Sequence, residues 1–191
     1  MRKQSVIIFF ILLILFGCDF NKQVKKTIDK EVKAAKAEMN KDIDIAKLNF
    51  KKLHEKALKQ STDSIFSSKI TSLYVNIFMT SKYIDSLRTE ISLLDDMDLN
   101  NIELLERKFL DGGIADSIFN KVKHSYSLSI DIALADTTKA RLKKITETYS
   151  EETKKQFFEM NSPLGLIMIL YGIESELIKN GTRSLNAHVN L

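Results

Sequence analysis

Between Val24 and Ala57 the apolar residues recur at the pitch of an α-helix. Val24, Ile28, Val32, Ala35, Met39, Ile43, Ala46, Phe50, Leu53 and Ala57 stand on average about 3.7 residues apart, the helical period and not the roughly 3.5 of a left-handed coiled coil. With one proline, six glycines and no tryptophan among its 191 residues, the chain has little with which to make the many tight turns of a sheet-rich fold. The spacing predicts one long helix over residues 22–59. Several stripe members are alanines, so its grip on a partner surface is modest.

Gln60-Ser61-Thr62-Asp63-Ser64 breaks that helix with residues that suit an N-cap. A second helix follows, striped by Phe66, Ile70, Leu73, Ile77, Ile84, Leu87, Ile91 and Leu94. These side chains are larger and their spacing is heptad-like, as a bundle core needs. Asp95-Asp96-Met97-Asp98 ends it. A weaker helical segment, Asn100–Leu110, stops at Asp111-Gly112-Gly113, where glycine supplies positive φ. The next helix is expected from about Ile114 to Ala133, and another after Asp136-Thr137-Thr138, through Leu142, Ile145 and Tyr149 to near Phe157 or Phe158.

Ser162-Pro163 reads as N-cap and first helical residue. It opens an almost wholly apolar run, Leu164 to Ile173, which is too short to span a membrane, a task that takes about 20 apolar residues. Apolar residues all round a helix mean burial on all sides, so this is the expected central helix, with Gly165 and Gly172 on one face allowing close approach. Asn180-Gly181 is expected to end it, leaving a loose tail over 181–191. The fold expected is all-α: an antiparallel helical bundle over 61–180, preceded by a lysine-rich helical stalk over 18–60.

The N-terminus carries a different message. Arg2 and Lys3 are followed by an apolar run from Val6 to Phe16, then Gly17 and Cys18, the sole cysteine. This is the layout of a bacterial lipoprotein signal at 1–17, cut after Gly17 and lipidated on Cys18. Covalent acyl chains contribute about 0.8 kcal/mol per buried CH₂, so several chains anchor a protein firmly. With Cys18 so used, the remaining chain holds no thiol for a disulfide or a thiolate metal site. The expected location is the cell envelope, on the periplasmic face of the inner or outer membrane. Asp19 resembles the inner-membrane retention signal of enteric bacteria, but lineages sort differently and the leaflet stays open.

Charge follows the same division. Residues 20–60 hold twelve lysines against six acids, and residues 61–191 hold fifteen basic against eighteen acidic groups. Lysines beside a lipid anchor meet anionic head groups, at about 1 kcal/mol each near the surface; a solvated helix face would look the same. Nucleic acid is a poor partner for this pattern, because the lysines are mixed with acids and almost no aromatic residues lie among them.

Residues 81–179 resemble the periplasmic helical domain of GldM, the rod-like component of the gliding-motility and type IX secretion motor of Bacteroidota. Tyr83-Ile84-Asp85-Ser86-Leu87-Arg88-Thr89-Glu90-Ile91 carries the likeness, with Phe157-Phe158-Glu159-Met160-Asn161-Ser162-Pro163 ahead of Ile169 to Leu177. The family has a transmembrane helix where this chain has its signal, and it continues into β-rich domains. The resemblance therefore implies an accessory or paralogue that docks on another envelope component, not a torque-transmitting rod. Asp63-Ser64, Asp85-Ser86, Asp116-Ser117 and Asp136-Thr137 resemble the Asp-Ser/Thr-aliphatic O-glycosylation signal of that lineage, making Ser64, Ser86, Ser117 and Thr137 candidate acceptors. Such pairs also start helices.

His54, His124 and His188 lie about seventy residues apart and form no ligand pair; each reads as a surface or polar-face residue. Nucleophile elbow, P-loop and dinucleotide fingerprint are all missing, and Asp95-Asp96-Met97-Asp98 lacks the glycine and distal glutamate of a calcium loop. No catalytic role, metal or cofactor is expected. The expected function is a lipid-anchored envelope protein whose bundle binds another protein. The alternative is a solute-binding or sensory bundle, with Tyr74, Tyr83, Tyr126, Tyr149 and Tyr171 lining a site between helices.

Overall fold

A computed structural model describes residues 2–94, 99–133, 136–148 and 162–189. Six α-helices, and no strand, occur among the described residues: α1 (Arg2–Gln60), α2 (Ser64–Ile91), α3 (Leu99–Glu106), α4 (Ile114–Ile132), α5 (Asp136–Thr148) and α6 (Pro163–Val189). The protein is an all-α helical bundle. Residues 95–98 and 149–161, with the acidic turn, Tyr149 and the Phe157–Phe158 pair, lie outside the described residues. Among the described residues, no helix is long and apolar enough to cross a membrane.

The chain divides into two compact units, Met1–Asp42 and Ile43–Leu191, so the bundle begins inside α1 and not at its end. In the first unit the stripe is weakly used: Ile28 is exposed, and Val32 and Met39 are half-buried. In the second unit Ile43, Phe50 and Ala57 are buried. The period is the same in both; the side chains over 43–57 are simply the ones that find partners.

The core is built on α2, α4 and α6, each of which packs on the other two, with α5 against α4. On α2 the buried positions Ile70, Leu73, Ile77, Ile84, Leu87 and Ile91 fall three, four or seven apart, which puts them on one face. On α4 Ile118, Phe119, Val122, Tyr126 and Ile132 do the same.

Local signals set the ends. Asp63 caps α2, its Oδ1 accepting from the Ile65 amide at 2.8 Å, and the Ser162 Oγ accepts from the Gly165 amide at 3.0 Å ahead of Pro163. After α3 the chain widens into a single π-helical turn, Arg107–Asp111, which closes at Gly112. Gly113 then takes φ +70° and its carbonyl receives the Ser117 amide at 2.9 Å, starting α4. A side chain is strained in that left-handed region, so glycine is required there.

Asn180-Gly181 does not end the last helix, which runs on to Val189. Ser184, Leu185 and Val189 are buried, so residues 181–189 extend the core and are no tail. The Asn180 side-chain oxygen accepts from Arg141 at 3.2 Å and Arg183 at 3.3 Å, tying α6 to α5. Gly181 serves close packing: a Cβ there would lie 2.3 Å from Ile77 Cδ1 and 3.0 Å from the Phe50 ring. Gly172, expected at such a contact, is exposed and has nothing near it.

The two glycines therefore give opposite results on mutation. Gly172→Ala gains helix propensity and is expected to stabilise by about 0.5–1 kcal/mol. Gly181→Ala gains the same but overpacks two buried side chains at about 1–3 kcal/mol, for a net loss of about 1 kcal/mol. Urea denaturation of both variants measures the difference, and shifts of the same sign would refute the close-packing role of Gly181.

Candidate functional site

Two helix faces that are otherwise apolar each carry one charged residue. Arg88 stands among Ile84, Leu87 and Ile91 on α2. Glu174 stands among Leu170, Tyr171, Leu177 and Ile178 on α6. Packing α2 on α6 buries both, leaving Arg88 5 % exposed and Glu174 wholly covered.

The pair is richly partnered. Arg88 Nη1 is bonded to Glu174 Oε2, and Arg88 Nη2 donates to Asp85 Oδ1 at 2.9 Å. The guanidinium carbon also lies 4.1 Å from the centroid of the Tyr171 ring, one turn before Glu174. Glu174 Oε1 accepts from the Ser81 hydroxyl and pairs with Lys47 Nζ of α1 at 2.9 Å. Removing two charges from water costs several kcal/mol per ion, and only such multiple bonding offsets it. The cluster thus links α1, α2 and α6 through one carboxylate.

Lys47 and Ser81 also line a cleft of about 140 Å³, together with Leu48, Phe50, Lys51, Tyr74, Ile77, Phe78 and Ile178. Phe50, Ile77 and Ile178 are buried and form its floor; Leu48, Lys51 and Phe78 are exposed and form its rim. Its lining is mainly apolar, with two hydroxyl-bearing residues, Tyr74 and Ser81, and two lysines. At one side Tyr74 stacks on His54, ring centroids 4.1 Å apart and planes at 13°, and lies 5.7 Å from the Phe50 ring. His54 is buried and its Nε2 has no hydrogen-bond partner. Burial lowers its pKa below the usual imidazole value, and nearby Glu55 opposes this only in part.

The histidines differ from the surface residues expected. His54 belongs to the core because α1 packs its 43–60 stretch inward. His188 is half-buried, its ring 4.4 Å from Phe66 and its Nε2 bonded to the Ile132 carbonyl. Only His124 is exposed. Of the four tyrosines among the described residues, Tyr74 lines the cleft, Tyr126 is core, Tyr171 lies under Arg88 and Tyr83 lies under Lys121, 5.4 Å from its Nζ. They do not gather round one site.

Ser64, Ser86 and Thr137 are exposed and Ser117 is half-buried. Asp63, Asp116 and Asp136 stand at helix starts, whereas Asp85 is mid-helix and holds Arg88. Gly17 and Cys18 fall within the span of α1. Among the described residues, no group of three or more His, Cys, Asp or Glu side chains converges as a metal ion would need.

Sequence reading missed the buried ion pair. The signal was present: Arg88 and Glu174 each occupy a stripe position flanked at three and four residues by aliphatics. Comparison with protein-family models, curated proteins and solved structures finds no match to this chain.

Breaking the pair from one side is expected to be severe. Glu174→Gln leaves Arg88 with the half-exposed Asp85 as its one anionic partner among the described residues, and a loss of about 3 kcal/mol in urea denaturation is expected. Arg88→Met combined with Glu174→Leu removes both charges and recovers most of that loss. A double variant as unstable as the single one would overturn this account of the pair.

His54 makes stability pH-dependent in a defined direction. In the unfolded chain it takes up a proton below about pH 6.5, while the buried ring resists it. Its contribution is therefore fully present above that pH and is lost as pH falls toward the lowered folded value. His54→Phe keeps a ring against Tyr74 and removes the titration. Its melting temperature should fall less than the wild type's between about pH 7.5 and pH 5, as read by circular dichroism; parallel curves would exclude His54 as the source.

Proposed function

We propose that this chain is a lipid-anchored cell-envelope protein whose helical bundle binds another protein. The observation that carries the reading is an apolar surface at the cleft rim. Leu48 is 52 %, Val75 50 %, Phe78 51 % and Met79 57 % exposed. Val75, Phe78 and Met79 are neighbours on α2 by their three- and four-residue spacing, and Phe78 and Leu48 both line the cleft. Large apolar side chains grouped in this way mark interaction surfaces.

Lys51 flanks the patch, and Lys82 stands one turn beyond Phe78 and Met79; both are exposed, whereas Lys47 beside them is paired with Glu174. A partner helix with an apolar stripe edged by acids complements it: the stripe lies on Phe78 and Met79 while its carboxylates meet the lysines. The signal-like start and Cys18 supply the membrane attachment. The GldM resemblance over residues 81–179 makes a helical component of gliding or type IX secretion machinery the first partner to test.

Crosslinking in the native envelope followed by affinity purification and mass spectrometry tests both halves. Phe78→Glu, an exposed substitution, is expected to abolish the partner crosslink with the melting temperature unchanged. Cys18→Ser is expected to release a folded protein into the carbonate-soluble fraction. A partner crosslink that survives Phe78→Glu counts against the patch, and a carbonate-resistant Cys18→Ser protein counts against the anchor.

A further inference from the structure

The cleft itself has a chemistry distinct from the patch around it. Its volume of about 140 Å³ is close to the roughly 150 Å³ of an apolar cavity that admits benzene. Phe50, Ile77 and Ile178 give the floor hydrocarbon and aromatic faces. Of the two hydroxyl-bearing residues that line it, Ser81 already donates to Glu174, and Tyr74 belongs to the aromatic wall, stacked on His54. Nothing on the floor calls for a polar ligand atom, so the floor accepts hydrocarbon.

The rim selects charge. Lys47 is committed to Glu174 at 2.9 Å, whereas Lys51 is exposed and makes no ion pair among the described residues. No acid lines the cleft: Glu174, which its lining residues hold, is wholly buried and bonded to Ser81, Arg88 and Lys47, and Asp44 and Glu55, exposed on α1, stand outside the lining. Within the lining a ligand head meets ammonium groups and no carboxylate. A cationic head is repelled there, and a neutral one gains nothing from Lys51.

We infer that this cleft binds a free single-chain carboxylate amphiphile, its tail between Phe50, Ile77 and Ile178 and its head at Lys51. A tail of about six to eight carbons matches the space. The site needs no protein partner: it uses the interior of the cleft, while docking extends outward from the shared rim residues Lys51 and Phe78 to Val75 and Met79, which do not line the cleft. Its aromatic wall is held by the Phe50–Tyr74–His54 stack.

The test uses the full chain in nanodiscs of zwitterionic lipid, irradiated with a diazirine analogue of octanoate and mapped by peptide mass spectrometry. Label is expected on peptides containing Phe50, Tyr74 or Phe78, suppressed by excess octanoate and not by octylamine. Lys51→Glu, at an exposed position, is expected to lower the yield about fivefold, the effect of replacing an attractive exposed charge by a repulsive one. Label that octanoate does not suppress, that octylamine suppresses equally, or that persists undiminished in Lys51→Glu overturns the proposal. Loss of the partner crosslink in Met79→Glu, an exposed position outside the cleft lining, with labelling intact would separate this site from the docking surface.

Discussion

One carboxylate, that of Glu174, sets how three helical segments meet. It is wholly buried, and it is bonded to the Arg88 guanidinium and Ser81 hydroxyl of α2 and to the Lys47 ammonium of α1. An apolar face slides past another with little penalty, because aliphatic packing is tolerant of swaps and shifts. A buried carboxylate does not slide. A one-turn slip of α6 on α2 would leave Glu174 and Arg88 unpaired in the core, at a cost that few small bundles survive. The ion pair adds little net stability over a hydrophobic pair, but it excludes wrong registers among long stripes that otherwise look alike.

The cleft follows from that arrangement. Lys47 reaches inward to Glu174, and Ser81 turns its hydroxyl to the same carboxylate, so both line the space between α1 and α2. Gly181 lets α6 come within contact of Phe50 and Ile77 from below. The floor is thus fixed by buried groups, while the rim residues Leu48, Lys51 and Phe78 face solvent. A rigid floor beneath an adaptable rim is what a recognition surface needs.

Much of this fold was legible in the sequence, and the reasons are physical. Helical period, cap residues and turn glycines are local, so the starts at Ser64, Ile114 and Pro163 could be read without knowing what packs where. What escaped depends on long-range partners. Asn180-Gly181 has the look of a C-cap, yet the helix continues because Leu185 and Val189 have a core to enter and Gly181 has a neighbour to admit. The period of α1 is even from Val24 to Ala57, and only tertiary contact tells that burial begins near Ile43. His54 likewise looks polar in the sequence and is core because Tyr74 covers it. The charged residues of the candidate site were visible as interruptions in aliphatic stripes, but nothing local says that an arginine and a glutamate 86 residues apart are each other's partner.

The last turns of α6 carry one more consequence. His188 bonds to the carbonyl of Ile132 at the end of α4 and lies against Phe66 near the start of α2. These contacts join residues far apart along the chain, and they form only once residues 181–189 have left the ribosome. Until then α2 and α4 lack part of the surface that covers them, and the emerging chain has no complete core. The seal between the end of α4 and the start of α2 is thus made by a residue 56 positions beyond Ile132, and a chain cut before residue 181 would leave it open.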